Sequence, residues 1–419
     1  MPDDTVTVSP DTLQSALLGR QPIVGRDGAI TGFELLFRGG EGNHAVITDD
    51  HLATQRVILN VVSEFGMNEV LGKHRGFINV GRETLYADAL QMLDPRRFTL
   101  EILETVCFDG EVAQRTRALR HTGFQIALDD ITDISQLPTE GLEHIDVLKI
   151  DMLNTQPTAL PALITAAKRA RCLVLAEKVE TRESFEQLLT MGVDLFQGYF
   201  FARPQVLKQQ RASVSQTALL QLLNKLAGEP SAAELEEAVK RSPLLLKQLM
   251  TLASSAGGRG HTPGTVRQAI MRVGTRRLAR WAQLLLYGEA SSVAPQDNPL
   301  VQTVSARARF MELAAQELDP FDDVFSDNAY QVGLFSLMHI VTGQTNAELM
   351  AQLSLARPVQ EAILHNKGQL GELLRLAEAL EGFPGVVTET NPVRALLPDA
   401  TITSLYASAI AYSNESLQA

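Results

Sequence analysis

The first 204 residues alternate short apolar runs of strand length with amphipathic stretches of helical period. This order constrains the fold most, because strand–helix alternation produces parallel strands joined by helical crossovers. Strands are expected at Gln21–Val24, Phe33–Arg38, Phe77–Val80, Phe98–Leu103, Phe124–Asp130, Val147–Asp151, Cys172–Val179 and Leu195–Phe201. Helical patterns fall at Asp50–Phe65, Glu83–Leu93, Glu111–His121, Pro161–Arg169 and Thr181–Thr190. About eight strands suit an α/β TIM-like barrel. Only the turn "GRDGAIT" separates the first two strands, a hairpin spacing that allows the first strand to run antiparallel.

The second half reads as all-helical. Ser231 and Glu234 form a capping box at the head of one helix, and Pro243 starts another. Gly274 breaks "TPGTVRQAIMRVGTRRLARWAQLLLYG" into two helices, and further helices are expected over Pro299–Leu318, Ala329–Val341 and Glu372–Leu380. The expected organisation is an N-terminal extension over 1–19, a barrel over 20–205 and an all-helical domain over 206–419. A chain of 419 residues is too long for one ordinary core, which agrees with this division.

Composition excludes several classes. The net charge of −12 argues against nonspecific binding to DNA or to an anionic membrane. The two cysteines, Cys107 and Cys172, lack CxxC spacing, so neither a disulfide framework nor a structural zinc site is expected, and a reducing cytoplasm fits. The acidic N-terminus "MPDDTVTVSP" lacks the apolar core of a signal peptide, and no apolar run approaches the roughly 20 residues of a membrane span.

Polar residues recur at or near the expected strand ends: Glu34, Asn79, Glu101 and Glu104, Asp129 and Asp130, Lys149 and Asp151, Glu177 and Glu180, and Gln197. A single surface carboxylate needs no explanation. Repetition at successive strand ends does, because a barrel gathers those ends on one face. Two adjacent aspartates repel unless a cation or proton relieves them. Carboxylates and an amide oxygen are hard ligands suited to Mg²⁺ or Mn²⁺, and a lysine beside them can orient water or a phosphate oxygen. The reaction class this set suits is metal-assisted attack of water on a phosphoester.

The ordered motifs "QPIV", "GFELLFR", "FINV", "LEILET", "ALDDI", "VLKID", "AEKVET" and "QGYFFARP", over residues 20 to 204, resemble the EAL domain family of TIM-like barrels that hydrolyse or bind cyclic di-GMP. The resemblance implies two Mg²⁺ or Mn²⁺ ions held by Glu34, Asn79, Glu104, Asp129 and Asp130. It implies that Lys149 positions the water and that Glu177 is the catalytic glutamate. Gln21, Arg38, Asp151, Glu180 and Gln197 would complete the nucleotide pocket. The chain departs from the family pattern at Leu35 for alanine and at Lys178 for glycine. After the aspartate pair it carries Ile131-Thr132-Asp133-Ile134-Ser135-Gln136 in place of a Gly/Ser-rich loop that orders the metals and helps the domains dimerise.

The second half resembles the HDOD domain, an all-helical relative of the HD phosphohydrolases usually assigned to signalling. Ser336-Leu337 stands where the HD relatives carry a His-Asp dyad, and His261, His339 and His365 stand singly. Arg267, Arg272, Arg276, Arg277 and Arg280 form a basic cluster that reads first as a solvated helix face, with a nucleotide, an acidic partner or the acidic barrel as the alternative, and Trp281 and Tyr287 read as core. The altered loop favours a signalling module of impaired catalysis, in which the HDOD domain meets a protein partner and a homodimer is allowed. The near-complete ligand set keeps an active phosphodiesterase as the alternative. The acidic charge and the lack of a helix-turn-helix signature speak against a nucleic-acid partner.

Overall fold

The computed structural model describes residues 16–39, 66–202, 231–240, 265–288, 293–342, 344–353, 355–383 and 391–418, with isolated positions between 219 and 253. The expected helix Asp50–Phe65, the start at Pro243 and His261 lie outside these residues.

Eight strands close into a barrel in sequence order. They are β1 (Ala16–Gly25), β2 (Ile30–Gly39), β3 (Arg75–Val80), β4 (Phe98–Ile102), β5 (Gln125–Ile131), β6 (Val147–Asp151), β7 (Leu173–Glu177) and β8 (Leu195–Gln197). β1 is antiparallel to both β2 and β8, while the pairs from β2 to β8 are parallel. The helices described between strands are α1 (Met67–Leu71), α2 (Arg82–Leu85), α3 (Gly110–Thr122), α4 (Leu160–Arg169) and α5 (Arg182–Thr190). α4 buries Leu160, Leu163, Ile164 and Ala167, one stripe of helical spacing. Each fully buried aliphatic side chain of such a stripe stabilises the fold by about 1.5–3 kcal/mol. The Asp109 carboxylate caps α3 by accepting from Val112 N, and Gly123, at φ 114°, ends it.

Inside the barrel, Ile23, Phe77, Ala127, Val147 and Leu175 form a separate buried apolar plug. The Phe77 ring fits because β2 carries Gly32 beside it, where a Cβ would lie 2.7 Å from Phe77 Cε2.

Three expected elements end early. β8 stops at Gln197, because Gly198 takes φ 144° and packs so closely that a Cβ would lie 2.1 Å from Val179 O. β7 stops at Glu177, since Lys178 turns into left-handed backbone at φ 56°. The pattern Glu83–Leu93 splits into α2 and a 3-10 turn at Asp88–Met92. There the Tyr86 and Ala87 amides bond back three residues and tighten the helix to a stop.

The chain forms two compact units. The first is Met1–Arg203 with Glu317–Pro320 and Arg375–Ala411, and the second is Pro204–Gln316, Phe321–Leu374 and Tyr412–Ala419. Beyond Phe201 every regular element among the described residues is helical. The Ser231–Glu234 box forms, with Glu234 Oε2 accepting from Ser231 N at 2.8 Å. Gly274 separates α6 (Val266–Val273) from α7 (Thr275–Gly288), and α8 spans Pro299–Leu318. The expected helix Ala329–Val341 is broken after α9 (Asp323–Phe335), where Ser336 Oγ bonds Gly333 O at 2.9 Å and competes with the backbone ladder. Tyr287 is fully buried but Trp281 only half so. Arg280 pairs with Glu312 and stacks on Tyr330, and Arg267 pairs with Glu236 at 3.0 Å, so these two arginines are held by partners. No helix among the described residues is long and apolar enough to cross a membrane.

Candidate functional site

Strand periodicity builds the site. Side chains two residues apart point to the same side of a strand. Two positions beyond the apolar plug, toward the carboxyl ends of the parallel strands, every inward residue is polar. Phe77 leads to Asn79, Ala127 to Asp129, Val147 to Lys149, Leu175 to Glu177 and Leu195 to Gln197. Gly32 leads to Glu34 and Thr99 to Glu101. β1 runs the other way, so there Ile23 is preceded by Gln21, which pairs with Glu34 in the ladder.

Lys149 stands at the centre and is 1% exposed. Its ammonium lies 2.6 Å from Glu101 Oε1, 2.7 Å from Asp129 Oδ1, 3.0 Å from Glu177 Oε1 and 3.9 Å from Glu34 Oε1. Burial disfavours the ammonium, but the carboxylates of Asp129, Glu101, Glu177 and Glu34 outweigh it and hold its pKa well above the ordinary value. Glu34 accepts from Asn79 Nδ2 at 3.2 Å and from Gln197 Nε2, which also reaches Gln21 Oε1 at 2.9 Å. The two glutamines and Asn79 thus fix the Glu34 carboxylate.

One ammonium does not balance four carboxylates. Burial pushes the Glu101 carboxyl well above its usual range, against the pull of Lys149. Burial likewise pushes Glu177 up to about 8, with Asp129 and Glu34 adding to the effect. Glu101 Oε2 and Glu177 Oε2 are buried without a hydrogen-bond donor. Buried carboxylate oxygens of this kind cost free energy unless a cation or donor meets them. The donor set therefore fits a hard divalent ion.

The aspartate pair solves a geometric problem. Neighbours on a regular strand point to opposite faces, yet the register of β5 against β6 shifts between Leu128 and Ile131, and Asp130 takes φ 48°. Leu128 and Ile131 both enter the outer core, while Asp129 and Asp130 both stay near the mouth. Glu104, Asp129 and Asp130 each offer an oxygen within 4.8 Å of the others, with Glu104 exposed. After the pair, Gln136 Oε1 accepts from Thr132 N at 2.7 Å, Thr132 Oγ1 at 3.1 Å and Asp133 N at 2.8 Å. Asp133 in turn caps the 3-10 turn Ile134–Gln136. Side-chain hydrogen bonds hold this loop where the family pattern uses glycine.

The remaining residues expected at the site are distributed around this layer. Asp151, two beyond Lys149, accepts from Leu153 N at 2.8 Å, Asn154 N at 3.2 Å, Asn154 Nδ2 at 2.6 Å and Lys178 Nζ at 2.7 Å. Glu180 is half-buried and lines a neighbouring cavity of about 460 Å³ with Met152, Leu153 and Lys178. The backbone of Arg38 faces Leu17 in β1, and its side chain lies outside the described residues. Two residues absent from the sequence-derived ligand set join the site. Glu101, on the inward parity of β4, is fully buried against Lys149, and Lys178 reaches Asp130 and Asp151. Strand parity alone would have found Glu101. The departure from glycine marks the position of Lys178 in the sequence but not which carboxylates it reaches.

The EAL domain family matches residues 18–204. The uncharacterized protein YuxH of Bacillus subtilis is 27% identical over 87% of this chain and 90% of its own length. The cyclic di-GMP phosphodiesterase CdgJ of Vibrio cholerae is 28% identical over 88% of this chain and 86% of its own. The crystal structure of the EAL domain of Mycobacterium smegmatis DcpA is 25% identical, covering 44% of this chain and 91% of that one at a TM-score of 0.37. Residues 18–204 of this chain, which include nearly all of the closed eight-stranded barrel, are thus similar to the EAL domain family.

Proposed function

We propose that this barrel is a metal-dependent phosphodiesterase that opens cyclic di-GMP to the linear dinucleotide. The observation that carries this reading is the closed polar layer of Glu34, Asn79, Glu101, Asp129 and Glu177 around the buried Lys149 ammonium. CdgJ, similar over most of the chain, is named for the same activity.

In this reading Glu34, Asn79, Glu101 and Asp129 hold the inner Mg²⁺ or Mn²⁺, and Glu104 and Asp130 lie at the outer rim. Such an ion, when bound, polarises the phosphoester and makes a water acidic enough to attack it. Lys149 holds Glu177, Glu101 and Asp129 in register, and through them would position the attacking water. Glu177, held 3.0 Å from the Lys149 ammonium, is the candidate base that takes the proton of the attacking water. Gln21 and Gln197 position Glu34, while Arg38, Asp151 and Glu180 are assigned to the nucleotide side of the pocket.

The second reading is a barrel that binds cyclic di-GMP with impaired turnover. The ion pair of Lys178 with Asp130 favours it, since it engages a carboxylate of the pair. Incubating the full chain with cyclic di-GMP and Mn²⁺ decides between them by chromatography. Linear product that disappears in Glu34→Ala supports the enzyme. Calorimetric binding without product supports the second reading, and neither binding nor product sinks both.

The helical second half acts in this proposal as an HDOD-like relay to a protein partner in the cytoplasm. Its support is the fate of the lost dyad. Arg307, fully buried, donates to Ser336 Oγ at 2.8 Å, placing a guanidinium beside the position where a metal-binding dyad would stand.

A further inference from the structure

Asp130 ends β5 and Lys178 follows β7, and both take left-handed backbone, at φ 48° and 56°. Side chains other than glycine rarely adopt that conformation, and where they do the surroundings impose it. Here the two residues bind each other. Lys178 Nζ lies 3.1 Å from Asp130 Oδ1 and 2.7 Å from Asp151 Oδ2. The ammonium spans the ends of three successive strands, and Asp151 at the end of β6 is itself fixed by Asn154 and two backbone amides.

This ammonium stands at one corner of the outer carboxylate trio, Glu104, Asp129 and Asp130. A divalent ion drawn to that trio would approach a fixed positive charge already bound to one of its ligands, and like charges at contact distance repel. The inner layer differs. Lys149 meets Glu101 Oε1 and Glu177 Oε1, but the buried Glu101 Oε2 and Glu177 Oε2 still have no donor, so part of the layer's demand for a cation is unmet. The two lysines also differ in access. Lys149 is sealed at 1% exposure, whereas the Lys178 side chain is 41% exposed, at the mouth where a nucleotide phosphate would enter.

We propose that the Lys178 ammonium is a built-in cation that replaces the outer of two divalent ions, so that this barrel holds a single metal ion in its inner layer. The ammonium supplies charge to the outer carboxylates and to substrate phosphate without itself acidifying a water. This inference rests on the reading that the carboxylate layer is a metal site.

The test counts ions and does not measure turnover. The full chain is titrated with Mn²⁺, and bound metal is measured by electron paramagnetic resonance and by elemental analysis. The expected result is one ion per wild-type chain and two in Lys178→Gly, which relieves the left-handed backbone as it removes the charge. Lys178→Gln, which keeps the side chain and removes only the charge, is expected to bind two as well. Two ions in the wild type, or one ion in all three proteins, overturns the proposal and leaves the metal site standing. No bound ion in any of them overturns both.

Discussion

Glu101 Oε1 and Lys149 Nζ stand 2.6 Å apart inside the barrel, on strands separated by β5, and neither side chain is more than 1% exposed. A charge pair this deeply buried is costly to break from one side, because the survivor keeps its desolvation penalty. Lys149→Met leaves Glu101, Asp129 and Glu177 facing one another. Metal-free protein should lose about 3–5 kcal/mol of barrel stability in urea unfolding. Saturating Mn²⁺ should restore part of the loss. An unchanged midpoint without metal would contradict the central role given to Lys149.

Glu101 and Glu104 make opposite predictions for the inner ion. Glu101 is fully buried in the polar layer, whereas Glu104 is exposed at its rim. Glu101→Gln should weaken Mn²⁺ binding at least about tenfold in calorimetric titration, since loss of even a residue that only orients a ligand costs a site about 10–100-fold. Glu104→Gln should change it by less. Equal losses in the two variants would place the ion nearer the mouth than the inner layer.

The loop after the aspartate pair depends on one side chain. Gln136 Oε1 is shared by the Thr132 and Asp133 amides and the Thr132 hydroxyl. Gln136→Ala should cost about 0.5–2 kcal/mol, the range for a lost capping group. It should also speed hydrogen exchange at the Thr132 and Asp133 amides. Unchanged exchange there would mean that the turn is held by something other than this oxygen.

The two thiols should differ sharply in reactivity. Cys107 is exposed, while Cys172 is buried with its thiol pushed up to about 11, first by burial and then by Asp146. At pH 8 only about one Cys172 in a thousand is thiolate, so the native chain should take one equivalent of a thiol reagent and the unfolded chain two. Labelling of Cys172 in the native state should rise only as pH approaches 11. Rapid reaction of both thiols at pH 8 would refute the packing described for Cys172.

Much of the barrel was legible because its signals are local. Apolar runs bounded by turn residues placed all eight strands, and the hairpin spacing allowed the antiparallel pairing that β1 adopts with β2. Strand ends were less legible where one residue's backbone decides. Lys178 and Gly198 stop β7 and β8 through positive φ, which apolar periodicity does not report. The helix break at Ser336 escaped for a related reason, since a serine hydroxyl bonding to Gly333 O looks the same in sequence as one facing solvent.

Alternation with period two is a property of each strand alone, and it sufficed to put a polar residue two steps beyond every position of the apolar plug. The sequence by itself therefore determined that a polar layer exists and which side chains can enter it. Which of them meet was decided only by closing the barrel. Strand stagger and the left-handed turns at Asp130 and Lys178 set distances between residues 48 and 27 positions apart along the chain, the separations of Lys178 from Asp130 and Asp151. Those distances depend on backbone geometry summed over intervening strands, which no local pattern encodes.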